Sequence, residues 1–325
     1  MLARGFTLIV VCLLVLATLR LAGGENFAIV LDGSLAAPVT TPHFLPSVGI
    51  KKFLNSFTSY EFPNPFAPQQ NPLSRLEFPV DQWFLGVKQA YKAQTWSLTG
   101  EFWINVNRES SLKMQDSDWD DDLIPVQKTV FSESDCRLNR GLMFDVGVTL
   151  PTPLTVSSYL RPVAGWRYQH FFFTTHDGYQ AELGNGGSSL PGDGIDFKQT
   201  FSQCYIGGTL QTSFNPPVLR EFVPPASVGL QCDYAIVNAV NEDLHLWRIG
   251  HRVTTEQTLG HCWHVSANVG WMRAGSFTAR FEVDFKRLIT HGDHRLSNLA
   301  LDFSFGGARV WSDQASVSAF AEYLF

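Results

Sequence analysis

From Leu73 to the last residue the chain returns again and again to one pattern, apolar and polar side chains in alternation. Leu76, Phe78 and Val80 alternate with Arg75 and Glu77, and Leu98, Phe102, Ile104 and Val106 stand opposite Glu101, Trp103 and Asn105. Leu142, Phe144, Val146, Val148 and Leu150 repeat it. A period of two is that of an extended strand, whose successive side chains point to opposite faces. Beyond the N-terminus no run approaches the ~18 uncharged apolar residues of a membrane-spanning helix. The chain therefore reads as all-β, built of strands with one greasy and one polar side.

Composition narrows this only a little. Charged residues make up 17% and aromatic residues 13% of the 325 positions, which suits a membrane barrel and a soluble β-sandwich alike. The net charge of −6 argues against nucleic acid as a partner, because binding a polyphosphate needs a basic surface.

The rhythm of the connections does separate the two architectures. Turns at Pro151-Thr152-Pro153, Asn215-Pro216-Pro217 and Arg273-Ala274-Gly275-Ser276 are short. Connections at 108–135, 174–194, 241–248 and 289–295 are longer. Short turns alternating with long loops predict an up-and-down barrel with short turns on one side of a membrane and long extracellular loops on the other. About ten strands are expected, antiparallel and transmembrane, beginning with Ser47 to Asn55 and ending with Leu299 to Val310 and Ala315 to Phe325. The closing strand alternates Val317, Ala319, Ala321, Tyr323 and Phe325 with polar residues and ends on an aromatic, similar to the signal read by bacterial outer-membrane assembly machinery.

Residues 1–24 read as a signal peptide: Arg4, an apolar run from Phe6 to Leu19, then Leu21-Ala22-Gly23-Gly24. Residues 25–325 form the mature barrel. Cys136, Cys204, Cys232 and Cys262 remain after removal; export permits oxidation, and their pairing stays open.

The chemistry-bearing residues fall into two short signatures. Asp116 and Asp118, in Met114-Gln115-Asp116-Ser117-Asp118-Trp119, share one face if the segment is extended. Asp243-Leu244-His245 repeats the spacing far downstream. A carboxylate beside an imidazole can hold it in one tautomer and keep it basic. Five carboxylates within Asp116 to Asp122 also fit a solvated loop or a weak cation site. His291-Gly292-Asp293-His294 reads as a short exposed loop, and the glycines at 184–194 as a flexible loop with no helix behind them to cradle phosphate.

The first signature resembles the Asp-x-Asp-Trp segment of the omptins, outer-membrane proteases of Gram-negative bacteria with ten-stranded barrels. Ser74-Arg75-Leu76-Glu77-Phe78, Val163-Ala164-Gly165-Trp166, Lys198-Gln199 with Tyr205-Ile206-Gly207, and Asp243-Leu244-His245 resemble further family segments in matching order. The resemblance implies an endopeptidase whose catalytic groups are Asp116, Asp118, Asp243 and His245, acting through an activated water, with no metal or other cofactor. It implies cleavage near basic residues, with Glu61 in a substrate pocket and Asn241 where the family has a second acid. It implies peptide or protein substrates and outer-membrane lipid as partners, lipopolysaccharide in particular. The lipid-binding Tyr-x-Glu-x-Arg arrangement, however, reads Trp166-Arg167-Tyr168-Gln169-His170 here. A monomer at the bacterial outer membrane, its site facing outward, is expected. A non-catalytic porin or adhesin barrel of the same fold is the alternative.

Overall fold

A computed structural model describes residues 43–93, 96–150, 160–214, 226–247, 252–272 and 277–323. The expected signal peptide and the three short proline or glycine turns lie outside these residues. Twelve strands follow one another: β1 (His43–Phe62), β2 (Ser74–Val80), β3 (Trp83–Lys92), β4 (Ser97–Asn105), β5 (Met114–Asp118), β6 (Val130–Thr149), β7 (Leu160–Glu182), β8 (Gly186–Phe214), β9 (Ala226–His245), β10 (Arg252–Met272), β11 (Phe277–Ser297) and β12 (Asp302–Tyr323). Among the described residues there is no helix.

All twelve strands join one antiparallel sheet, and β12 pairs with β1 to close it. The ring is ten strands around at any height. The lower half of β1 pairs with β3 and its upper half with β2, so β2 and β3 act as one strand interrupted at Asp81-Gln82. In the same way β4 and β5 pair with the lower and upper parts of β6. Closure leaves no sheet edge, which lipid would otherwise penalise by several kcal/mol per unpaired backbone group.

Strands β6 to β12 run for 20 to 29 residues. A tilted strand needs only about 9–11 residues to cross a bilayer. Their upper parts therefore stand clear of the lipid, and this corrects four of the expected loops. Met114–Asp118 is strand, not part of a long connection. Residues 174–194 form a hairpin with its turn at Leu183–Asn185, 241–245 belong to β9, and 289–295 lie within β11. The final two expected strands are one. Above the bilayer the outer face is wet as well, so the greasy-against-polar contrast that marks a membrane strand fades.

That same change of surroundings inverts the wall. Lower down, Ile50, Leu85, Val87, Ile206 and Ile236 point outward and are exposed to the lipid. In the upper half the apolar side chains point in: Leu76, Phe78, Phe171, Phe173, Phe197 and Phe201 are buried in the lumen. Phe78 and Phe197 stack with centroids 4.1 Å apart. On β1 the change of parity is made by an irregularity between Leu54 and Phe57, where Asn55 takes φ 45°. Below it Lys51 and Phe53 are buried inside; above it Thr58 and Tyr60 are. The aromatic layer is the floor on which the site rests.

The four cysteines among the described residues are free thiols, Cys136 and Cys262 buried, Cys204 and Cys232 exposed. On β9 Cys232 stands opposite Gly208 and Cys204 opposite Ile236, four positions apart on neighbouring strands, which is out of disulfide reach.

Candidate active site

Chain direction puts the two signatures at the same end of the barrel. Strands β5 and β9 both run upward, and Asp118 and His245 are their last residues. Face is set by cross-strand partners, which share a side of the sheet. Asp116 lies opposite Leu76, and Leu76 opposite Tyr60, both buried in the lumen. Asp116 therefore turns inward, and so does Asp118, two residues on. Ladders to β2 on one side and β6 on the other hold this short strand in place. Beyond it, Thr129 donates to the Asp118 carbonyl (2.9 Å) and Trp119 to that of Leu73 (2.8 Å), tying down the exit.

Asp243 is fully buried. Its Oδ2 accepts a hydrogen bond from the Tyr60 hydroxyl, which reaches it from β1. Its Oδ1 lies 3.3 Å from His245 Nε2, and the His245 side chain is 15% exposed at the mouth of the lumen. Burial pushes the Asp243 carboxyl up to about 7; the Tyr60 hydrogen bond, Arg252 and His294 pull it down, and Asp196 adds to the rise. A carboxylate of that kind changes charge close to neutral pH, as acid–base groups in working sites do. The Tyr60 phenol is itself held well above its usual range by burial and by Asp243 and Glu256.

Asn241 points into the same lumen, two residues below Asp243, and is fully buried. It stands opposite Glu256 on β10, which in turn stands opposite His294 on β11. His294 Nδ1 and Glu256 Oε1 are 2.8 Å apart, and Phe62 stacks on the His294 ring at 4.0 Å. Burial raises the Glu256 carboxyl above its usual range, against the pull of His294. The Asn241 side chain also bonds the Glu256 carboxyl. His294 Nε2 is buried without a hydrogen-bond partner, which is unusual, since buried polar atoms are nearly always paired.

Two expectations change in this light, those for Glu61 and His294. Glu61 follows Tyr60 on the strand and so faces the outer side of β1, where Arg75 (2.6 Å) and Arg309 (3.4 Å) pair with it beside Trp311. Arg167, the basic residue nearest the altered lipid arrangement, points inward and grips Asp233 and Asp145, so it does not meet lipid. His294 is not on an exposed loop but sealed inside β11. Tyr60, Glu256 and His294 were not recognisable as neighbours of the site. The signal available was parity: counting in twos along β10 from the inward His264 reaches Glu256, but only if the strand is extended upward from Leu259 to Arg252.

Comparison with known proteins bears on this arrangement. A sequence model of the Omptin family matches residues 69–248, more than half of the chain and the span that contains both signatures. The fold is similar to the crystal structure of the outer membrane protease OmpT from Escherichia coli, at 18% identity over 90% of this chain and 99% of that one, with a TM-score of 0.74. The translocator domain of the autotransporter NalP from Neisseria meningitidis (8% identity, 84% of this chain, 87% of that one, TM-score 0.31) and the beta domain of the Bordetella autotransporter BrkA (9%, 87%, 100%, 0.33) are far more distant matches. No curated protein matched.

Proposed function

The chain belongs to the omptin family, and from that premise we propose that it is an outer-membrane endopeptidase. It hydrolyses peptide bonds of external peptides or proteins at the outer rim of its barrel. The observation that carries this reading is the inward turn of Asp116, Asp118, Asp243 and His245 at one and the same rim, above a lumen plugged by aromatic side chains.

His245 is the general base. Asp243, at 3.3 Å from Nε2, orients the imidazole and stabilises its positive charge once the remaining nitrogen has taken a proton from water. The hydroxide so formed attacks the substrate carbonyl carbon. The proton then passes to the leaving amine. Asp116 and Asp118 hold the water from the other signature. General-base catalysis of this kind contributes roughly 10²- to 10⁴-fold. The 3.3 Å contact is longer than a formed charge-assisted hydrogen bond, and such contacts commonly tighten when substrate binds.

No cofactor enters these steps. Lipopolysaccharide is a component of the surrounding leaflet whose requirement is open to test, given the inward turn of Arg167. Asn241, with an amide in place of an acid, weakens the attraction for a basic side chain, so a relaxed preference around Lys and Arg is expected.

The test is to refold residues 25–325 in detergent, with and without lipopolysaccharide, and follow cleavage of a peptide library by mass spectrometry. Wild type should cut, and Asp116→Asn should not, while both keep the heat-dependent gel shift of a folded barrel. Equal hydrolysis by the two proteins would remove the assignment. Single-channel conductance of the wild type tests the porin alternative, since a lumen filled by side chains conducts little.

A further inference from the structure

The proposed chemistry needs the Asp243 carboxylate in one orientation, and nothing on its own strand supplies it. Both neighbours in the chain, Glu242 and Leu244, point to the other face. What reaches Asp243 is a side chain from β1, which is not hydrogen-bonded to β9 in the sheet. The Tyr60 hydroxyl donates to Oδ2 and leaves Oδ1 turned to His245 Nε2. The Tyr60 ring is itself fixed. It is almost fully buried, stacked on Phe197 at 5.4 Å with an interplanar angle of 19°, and Phe62 lies parallel at 6.3 Å on its strand. Phe197 is the residue opposite Asp243 in the β8–β9 ladder, so the ring that carries the donor rests on the partner of the acceptor.

We propose that Tyr60 is a positioning residue for the Asp243–His245 pair, spanning the lumen to hold one carboxylate oxygen so that the other is presented to the imidazole. The inference rests on the endopeptidase reading. Its mechanism is plain: a phenol hydrogen bond stabilises the ionised carboxylate, and Asp243 in the ionised form is what supports a protonated His245. The groups that act on Asp243 are Tyr60 from β1, His245 on β9 itself, Arg252 and Glu256 from β10, His294 from β11 and, from the other face of the sheet, Asp196 on β8. Of these, Tyr60 alone makes a formed hydrogen bond to the carboxylate among the contacts described.

Tyr60→Phe keeps the ring and its stacking and removes only the donor. With a peptide that the wild type cleaves, the variant should lose about tenfold or more in kcat at pH 7 with KM within about twofold. The acid limb of its kcat profile should move to higher pH, because the carboxylate has lost a stabilising bond. Incorporation of 3,5-difluorotyrosine at position 60 keeps ring and hydroxyl and makes the hydroxyl a stronger donor; its acid limb should move to lower pH. This second variant keeps the question answerable if Tyr60→Phe does not fold. Rates are normalised to the folded fraction by the heat-dependent gel shift. An unchanged kcat per folded molecule with an unchanged acid limb in both variants overturns the inference, since a merely structural tyrosine would lower only the folded fraction. Absence of cleavage by the wild type would instead remove the endopeptidase reading and this inference with it, and that outcome is visible before any variant is made.

Discussion

Strand β9 carries two aspartates, ten residues apart, that each meet a histidine inside the barrel, and the two sites are opposites. At mid-barrel Asp233 is 2.7 Å from His264 Nδ1, and Asp284 is 2.6 Å from its Nε2. Arg167 clamps Asp233 with two bonds of 2.7 Å and also binds Asp145, which takes a further bond of 2.8 Å from Tyr205. Gly147 and Gly165 leave the room for that tyrosine, since a Cβ on either would fall within 2.5 Å of its hydroxyl. Every charge there is answered. At the rim Asp243 has one formed bond, a looser contact to His245, and unpartnered atoms around it. A fully paired buried network gives the lumen a fixed structure. A partly paired one costs stability and leaves groups available for chemistry. The two Asp–His pairs therefore differ in satisfaction, not in residue type.

The comparison predicts its largest effect on rate. His245→Ala should lower hydrolysis by roughly 10²- to 10⁴-fold in a barrel that still shows the heat-dependent gel shift. His264→Ala should leave kcat per folded molecule within about threefold, its loss appearing in the folded yield. Peptide cleavage by both variants, with rates divided by the folded fraction, checks this. If His264→Ala lowered the normalised rate as far as His245→Ala does, the two sites would not be distinct.

Stability should respond in the opposite sense. Asp233→Asn takes a carboxylate from Arg167 and His264 and leaves the buried guanidinium with Asp145 alone, a change of about 3–5 kcal/mol. Asp243→Asn should instead stabilise the barrel at neutral pH, because an amide can still accept from Tyr60 and need not lose a proton in a buried place. Urea midpoints in micelles at pH 7 would place Asp243→Asn above wild type and Asp233→Asn below it. Both variants falling below wild type by similar amounts would mean that the rim aspartate is also structural.

How far this contrast was readable beforehand depends on the strand contrast of each region. Around Leu142 to Leu150 lipid outside and polar groups inside make alternation sharp, and the strand and the ten-fold ring follow from it. Above the bilayer both faces are mixed, so residues 174–182 and 289–295 read as loops although they are paired strand. Asp116, Asp118, Asp243 and His245 were legible as short signatures because each pair lies on one strand. Tyr60 and the Glu256–His294 pair were not, because their meeting with Asp243 is made across the lumen or across the sheet. The inward direction of Glu256, and the outward direction of Glu61, each hang on parity, and parity on β1 is reset by the irregularity after Leu54, which no alternation pattern announces.

Proton affinity gives a smaller and graded version of the same test. The Asp243 carboxyl is raised to about 7 in the fold, against an ordinary carboxylate value of about 3.9 in an unfolded chain. Between these values the folded protein holds a proton that the unfolded chain has released. The stability contributed by this group is then fully present below pH ~4 and is lost as pH rises towards 7. Hydrolysis should run the other way, rising with pH through about 7 as Asp243 ionises. Unfolding midpoints from pH 4 to 8 should show the decline in wild type and a flatter course in Asp243→Asn. A decline of equal slope in both would assign it to other groups.

The smallest effect separates the two residues expected to line the substrate pocket. Asn241 faces the lumen beside Asp243 and is fully buried there. Glu61 faces the outer wall, already neutralised by Arg75 and Arg309. A substrate side chain entering the lumen meets the first and not the second. Asn241→Ala should therefore change KM for peptides differing at the residue before the cut. Glu61→Gln should leave that KM within about twofold and cost about 1 kcal/mol or less of stability, since its partners are a third or more exposed and screened by solvent. The measurement is a matched pair of KM series on peptides with Lys, Arg, Gln and Ala at that position. If Glu61→Gln selectively weakened the basic peptides while Asn241→Ala did not, the carboxylate on the outer wall would have to turn towards the cleft when substrate arrives, and the specificity pocket would begin at the lip of β1 instead of inside the lumen.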